Sequence, residues 1–287
     1  MSEKKVWFIT GSSTGFGREL AEELLMQGHR VVTTARNPAV LADLVERYPE
    51  TVRALRLDVT KPDEVRAAVA DAVNEFGRID VLVNNAGYGL IGAIEEATDE
   101  QFRHQFETNV FGAVDVMRAV LPQMRVQKSG HILNISSVAG FIAFPSSAFY
   151  TSSKFALEAF SEALAAEAAH LGIKVTIVEP GAFRTDFNGR SLAIGENRMQ
   201  DIYPSTDGFL GWLKENDGKQ PGDPRKAAQA MIKVVESENP PLRLPLGEDA
   251  ILAIEAELEK VKNDIGPWRQ VGVETTYPGM TAQAIGG

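Results

Sequence analysis

Tyr150-Thr151-Ser152-Ser153-Lys154 sets a phenol and an ammonium four residues apart. On a helix those two side chains share a face. A tyrosine ordinarily ionises near pH ~10. A neighbouring ammonium favours the phenolate, so Lys154 is expected to draw the pKa of Tyr150 toward the working range. Such a phenol can give a proton to a developing alkoxide or take one from an alcohol. Ser137 lies thirteen residues earlier, in Asn134-Ile135-Ser136-Ser137, where a predicted strand ends. In open parallel sheets, ligand chemistry gathers at such strand ends. A hydroxyl there can bond a substrate oxygen and steady the charge that forms on it. A pair of serines at a strand end can equally serve only as a turn.

Thr10-Gly11-Ser12-Ser13-Thr14-Gly15-Phe16-Gly17 joins a strand-length apolar run, Val6 to Thr10, to an amphipathic segment beginning at Arg18. The glycines have separable jobs. Gly11 permits a tight turn, Gly15 lets backbone approach a pyrophosphate, and Gly17 allows close packing of helix on strand. The free N–H groups of the helix N-terminus, with Ser12, Ser13 and Phe16 in the turn, suit a dinucleotide's phosphates. No Gly-Lys-Ser/Thr ending follows, which argues against an NTPase phosphate loop. The second predicted strand ends Thr33-Thr34-Ala35-Arg36-Asn37. An acid placed to hold ribose hydroxyls is absent, and Arg36 offers a forked cation to a 2′-phosphate. NADP(H) is therefore expected, ahead of NAD(H), and Lys154 is placed to hold the nicotinamide ribose.

The elements that must position these residues alternate. Strands are predicted over 30–35, 51–57, 80–84, 130–136, 173–179 and 242–246, after a first at Val6–Thr10. Helices are predicted over 18–27, 38–48, 61–76, 98–124, 148–171, 224–236 and 249–262. Thr60 reads as an N-cap, Thr98 and Gln101 as a capping box, and Gly28 as the residue ending its helix. The alternation predicts a Rossmann-like, doubly wound parallel sheet of about seven strands with helices on both faces. The chain of 1–287 reads as a single domain, with 188–222 as a substrate lid and 266–287 as an irregular tail.

These motifs resemble the short-chain dehydrogenase/reductase family over about residues 5–187. The resemblance rests on Thr-Gly-x-x-x-Gly-x-Gly at 10–17, Asn-Asn-Ala-Gly at 84–87, Asn109 in Thr108-Asn109-Val110, Ser137, and Tyr150-x-x-x-Lys154. It favours Ser137 over Ser136 by its spacing from the tyrosine. It implies that Tyr150 is the general acid/base, that Lys154 lowers its pKa and binds ribose, and that Ser137 orients the substrate oxygen. It implies that Asn109 holds a water linking Lys154 to solvent. It further implies cofactor contacts from Asp58 and Val59, from Asn85, Ala86 and Gly87, and from Pro180, Gly181 and Thr185. Homodimers or homotetramers are implied as well.

On the substrate side, Phe183, Phe187, Leu192, Met199, Tyr203, Phe209 and Trp212, with Leu90, Phe141 and Phe144, are candidates to wall an apolar pocket. This texture, with Arg184-Thr185-Asp186-Phe187, is similar to the steroid and retinol dehydrogenase branch more than to acyl-carrier reductases. Composition narrows the rest. The 29 basic against 39 acidic residues leave a net charge of −10, which suits neither nucleic acid nor an anionic membrane. With no cysteine, thiol catalysis and Cys-ligated zinc are excluded, and four scattered histidines offer no metal site. The N-terminal residues lead directly into a strand, as expected of a cytoplasmic protein. The reading is an NADP(H)-dependent oxidoreductase acting on a small carbonyl or alcohol. A non-catalytic NADP(H) sensor on the same fold, and a relative doing epimerisation or dehydration, are the alternatives. Replacing Arg36 by Ala should weaken NADPH binding far more than NADH binding in a fluorescence titration; equal losses would remove the 2′-phosphate assignment.

Overall fold

The computed structural model describes residues 4–284. Among the described residues nine strands form: β1 Val6–Ile9, β2 Arg30–Ala35, β3 Val52–Arg56, β4 Val81–Asn84, β5 Gly89–Ile91, β6 Gly130–Ile135, β7 Ile173–Pro180, β8 Leu192–Ile194 and β9 Arg243–Leu246. Seven make one wholly parallel sheet in the order β3-β2-β1-β4-β6-β7-β9. The chain starts at β1, winds outward to β3, then returns beside β1 as β4 and winds the other way. That reversal opens a crevice at the carboxyl ends of β1 and β4. Strands β1 and β4 are buried along their whole length, so their apolar runs do not alternate.

The helices are α1 Gly15–Met26, α2 Ala42–Arg47, α3 Pro62–Phe76, α4 Asp99–Phe106, α5 Gly112–Gln127, α6 Ala148–Ala168, α7 Pro204–Glu215, α8 Pro224–Glu236 and α9 Glu248–Val273. Two cores separate the layers. On one face Leu20 and Leu24 of α1 meet Met231 and Ile232 of α8 over Trp7, Ile9 and Val31. On the other, Val65 and Val69 of α3 and Val116, Val120 and Met124 of α5 cover Phe8, Leu82 and Ile132.

Several local expectations change. The helix expected over 98–124 is two α-helices joined by a π turn at Glu107–Phe111, in which Gly112 N–H bonds back to the Glu107 carbonyl. Its capping box is present: Gln101 N–H donates to Thr98 Oγ1 at 3.2 Å, and Thr98 N–H to Gln101 Oε1 at 3.1 Å. Thr60 is not the cap of α3. Lys61 holds that position, because the Thr60 hydroxyl donates to Asp58 instead, at 2.7 Å. The 38–48 helix opens as a 3₁₀ turn at Pro38–Leu41. Residues 188–222 contain β8 and α7, and β8 pairs in parallel with β5, Gly89 opposite Leu192. The irregular tail expected from 266 is still α9 through Val273, with Pro267 inside it; residues 285–287 of that tail lie outside the described residues.

Gly112 fixes the distance of α5 from the loop after β3. A Cβ there would lie 2.8 Å from Val59 Cγ2 and 3.0 Å from the Val59 carbonyl oxygen. Gly112→Ala should therefore destabilise by about 1–3 kcal/mol through overpacking. A thermal melt reads the loss, and an unchanged midpoint would show that the loop yields freely.

Candidate active site

The turn after β1 and the segment after β4 touch. Gly11 takes φ +66°, and a Cβ on it would come within 2.9 Å of Ala86 Cα. Thr10 Oγ1 accepts the N–H groups of Asn85 and Ala86 at 2.9 and 3.0 Å. Asn85 Nδ2 returns hydrogen bonds to the carbonyls of Thr10 and Gly11 at 3.0 and 2.8 Å. Gly15 also takes a positive φ, +58°, with Thr185 in van der Waals reach. The turn is thus held open at the start of α1 with little between its backbone and the crevice.

A cavity of about 1150 Å³ runs from this turn across the sheet's carboxyl edge. Gly11, Ser13, Gly15, Phe16, Arg36, Asp58, Val59, Asn85, Ala86 and Gly87 line one end, and Ser137, Tyr150, Lys154, Pro180, Gly181 and Thr185 the other. Three expected residues stand behind the wall. Ser12 is fully buried, its hydroxyl donating to the Ile9 carbonyl at 2.9 Å and accepting from Thr34 N–H at 3.3 Å, so it ties β1 to β2. Gly17 packs under the turn, where a Cβ would lie 2.7 Å from the Gly11 carbonyl. Asn109 grips backbone: its Oδ1 accepts Tyr88 N–H at 3.0 Å, and its Nδ2 donates to the Tyr88 carbonyl and to Ser153 Oγ. Gly87 sits between Asn109 and Lys154, with a Cβ position 3.1 Å from Asn109 Oδ1 and 3.6 Å from Lys154 Nζ.

Tyr150 and Lys154 lie one turn apart on α6, facing the cavity as their spacing requires. The expected lowering of the phenol's pKa is reversed here. Burial pushes Tyr150 up to about 12, and contact with the Ser137 hydroxyl only partly opposes it. Lys154 does not pull it down because its ammonium points elsewhere: Nζ donates to the Ile135 carbonyl at 2.8 Å and stands 5.7 Å from the phenol ring centre. Burial lowers Lys154 itself to about 8, with Glu158 opposing. Ser137 holds the loop by accepting Ala139 N–H at 3.1 Å.

Ser136 turns away from the cavity's chemistry and donates to buried Glu158 at 2.6 Å. Arg243 of β9 bonds Glu158, Glu162 and Glu179 together, with its guanidinium over Phe141 at 5.2 Å. Phe141 therefore stacks in this cluster and does not wall the cavity. Burial, with the Glu158 charge nearby, lifts Glu179 to about 7.

The apolar end is walled by Leu90, Phe144, Phe183, Phe187, Leu192, Phe209 and Trp212; Met199 and Tyr203 do not line it. Phe187 packs on Tyr150 at 5.5 Å between ring centres. Sequence reasoning missed Tyr88 and His104, whose rings meet at 5.8 Å on this wall, and Asp249, which accepts Ala182 N–H at 2.7 Å. Nothing in their local pattern marks them. Helix α7 was legible in principle from Pro204 at its start and the apolar spacing of Phe209, Trp212 and Leu213.

The model of the short chain dehydrogenase family matches residues 5–193. The chain is a short-chain dehydrogenase. Oxidoreductase BOA17 of Botryotinia fuckeliana is 41% identical over 271 residues, 94% of this dehydrogenase and 98% of the relative. The 3-ketodihydrosphingosine reductase of Bacteroides thetaiotaomicron is 42% identical over 248 residues, covering 85% and 88%. A solved short-chain dehydrogenase from Streptomyces avermitilis superposes with a TM-score of 0.88 at 42% identity, covering 95% of this dehydrogenase and all of that chain. Neighbours at TM-score 0.71 have been solved with either cofactor: ElxO with NADP at 29% identity, and a Brucella melitensis 3-ketoacyl-(acyl-carrier-protein) reductase with NADH at 26%, each covering 85% of this dehydrogenase and 97% of its own chain. The positive-φ glycines and the open helix terminus of this dehydrogenase fit a nicotinamide dinucleotide.

The loop into α7 is anchored at a fully buried carboxylate. Glu96 accepts Arg198 Nε at 3.0 Å and the N–H groups of Met199 and Ala93 at 2.8 Å each. Burial alone would raise its pKa, but these donors and Thr206 outweigh it and hold Glu96 at about 2. Its contribution is complete above the ordinary carboxylate range and fades only as pH falls toward 2. Glu96→Gln at neutral pH leaves Arg198 with Asp207 as its remaining anionic partner and weakens the hydrogen bonds that converge on the carboxylate, which should cost about 1–3 kcal/mol. Limited proteolysis should then cut 188–222 faster; an unchanged cleavage rate would show that the loop does not depend on this anchor.

Proposed function

We propose that this short-chain dehydrogenase interconverts a ketone or aldehyde and its alcohol with NADP(H), Tyr150 exchanging the proton and residues 188–222 acting as the substrate lid. One observation carries the reading: Ser137, Tyr150 and Lys154 open into the same cavity that begins at the glycine turn. NADP(H) supplies or accepts the hydride when bound. Arg36 supports the phosphate form. It is exposed at the cavity edge, and among the described residues it has neither a hydrogen bond nor an ion pair.

In the reducing direction Ser137 would bond the carbonyl oxygen and Tyr150 would donate its proton as charge develops there. A phenol held at about 12 arrives protonated, which suits a donor. Lys154 would hold ribose hydroxyls beside the phenol. Asn109, by clamping Tyr88 backbone, would keep Gly87 flat against the ammonium and leave space for a relay water. The aromatic wall favours a substrate with an apolar body, and a relative named for 3-ketodihydrosphingosine supports a keto substrate of that kind.

Tyr150→Phe should abolish NADPH-dependent reduction across a panel of ketones and aldehydes while leaving NADPH binding intact. The wild-type rate should fall above about pH 8, as Lys154 loses its charge while Tyr150 keeps its proton. Residual turnover in Tyr150→Phe near the wild-type rate would refute the proton-donor role.

A further inference from the structure

Helix α9 leaves the body. Its first turns touch β9 and the short turn after β6, with Ala250 buried there. From Leu258 to Val273 every residue is exposed, and Glu274 to Ala284, which follow, do not cover it. Trp268 is 69% exposed and Ile265 50%. A solvated helical stretch of this length is marginal by itself, and this one contains Gly266 and Pro267.

Ile251, Ile254, Leu258, Val261, Ile265 and Trp268 recur at alternating steps of three and four. That is the a/d seam of a left-handed coiled coil, maintained over three heptads. Gly266 and Pro267 fall at b and c on the outer side, so the missing proline N–H lies away from the seam. The flanking charges select the partner. With Ile251 at a, the g positions carry Glu257, Asp264 and Val271, and the e positions carry Glu255, Lys262 and Arg269; Glu255 would face only Ala250 at the buried base of the helix. In a parallel pair each g residue faces the e residue five positions on in the other strand. Glu257 then meets Lys262 of a second copy, and Asp264 meets Arg269, twice each by symmetry. An antiparallel pair would set Asp264 and Glu257 against acids. A lipid surface fits poorly, since α9 carries six acidic side chains against three basic.

We propose that α9 is a self-association element, in which the seam of one copy packs in parallel on α9 of a second copy of this chain. The axis of such a pair runs along the helices, so the two catalytic bodies stand side by side at its base and the contact closes without propagating.

The test is the mass of the full chain in solution, by light scattering over a wide concentration range, with NADPH binding as the check that each variant's body is folded. Wild type should be at least two chains. V261D/I265D should fall to half that mass or less, and so should E257K/D264K. Adding K262E/R269E to E257K/D264K restores opposite charges across a parallel seam and should restore the wild-type mass. A monomeric wild type, an unchanged mass in V261D/I265D, or no recovery in the four-residue swap would overturn the proposal. So would binding of the wild-type chain to phosphatidylcholine/phosphatidylglycerol vesicles that V261D/I265D abolishes without changing the solution mass.

Discussion

Everything at this site depends on how closely two strand ends approach. Where the winding reverses, the turn leaving β1 and the segment leaving β4 stand backbone to backbone, with Gly11 over Ala86 and no room for a side chain between them. The Thr10 hydroxyl and the Asn85 amide lock that approach in both directions. The start of α1 is thereby left facing open space, and Gly87 is delivered against Asn109 and Lys154. The crevice and the position of Gly87 against α6 are set by one contact, not by two independent ones.

Around that contact the protein divides its charge. Beneath the cavity floor Arg243 gathers three glutamates, so the buried carboxylates Glu158 and Glu179 have a cation and hydrogen-bond donors. Within the cavity burial outweighs the contacts that oppose it, the Ser137 hydroxyl at Tyr150 and the Glu158 charge at Lys154. It holds Tyr150 as a neutral phenol and brings Lys154 close to losing its proton. Both groups sit on one helix face, and Glu158, one turn beyond Lys154, joins the two regions.

The sheet was legible because its strands are short β-branched runs broken by turn residues, and because Val6–Ile9 and Val81–Asn84 are apolar on both faces. The open turn at one end of the cavity was legible from Gly11, Gly15 and their place between a strand and a helix. Ser12 was misread for a physical reason: a serine in a glycine-rich turn can point either way, and here strand pairing claimed its hydroxyl. The direction of the Tyr150 shift was hidden too. Spacing puts Lys154 on the same face but cannot say that its ammonium will turn to the Ile135 carbonyl. Asp249 and His104 reach the cavity only through tertiary packing, which leaves no periodic trace in the chain.

The π turn at Glu107–Phe111 has a wider meaning. Relative to a regular helix it accommodates one additional residue within the rod from Asp99 to Gln127. An extra residue rotates everything downstream by about 100°, given ~3.6 residues per turn. The side of α4 that meets Ile194 and Glu196 and the sheet-facing side of α5 are therefore phased independently. Sequence can drift on one half without pulling the other off its surface, and buried Asn109 marks the joint at which the two phases are reset.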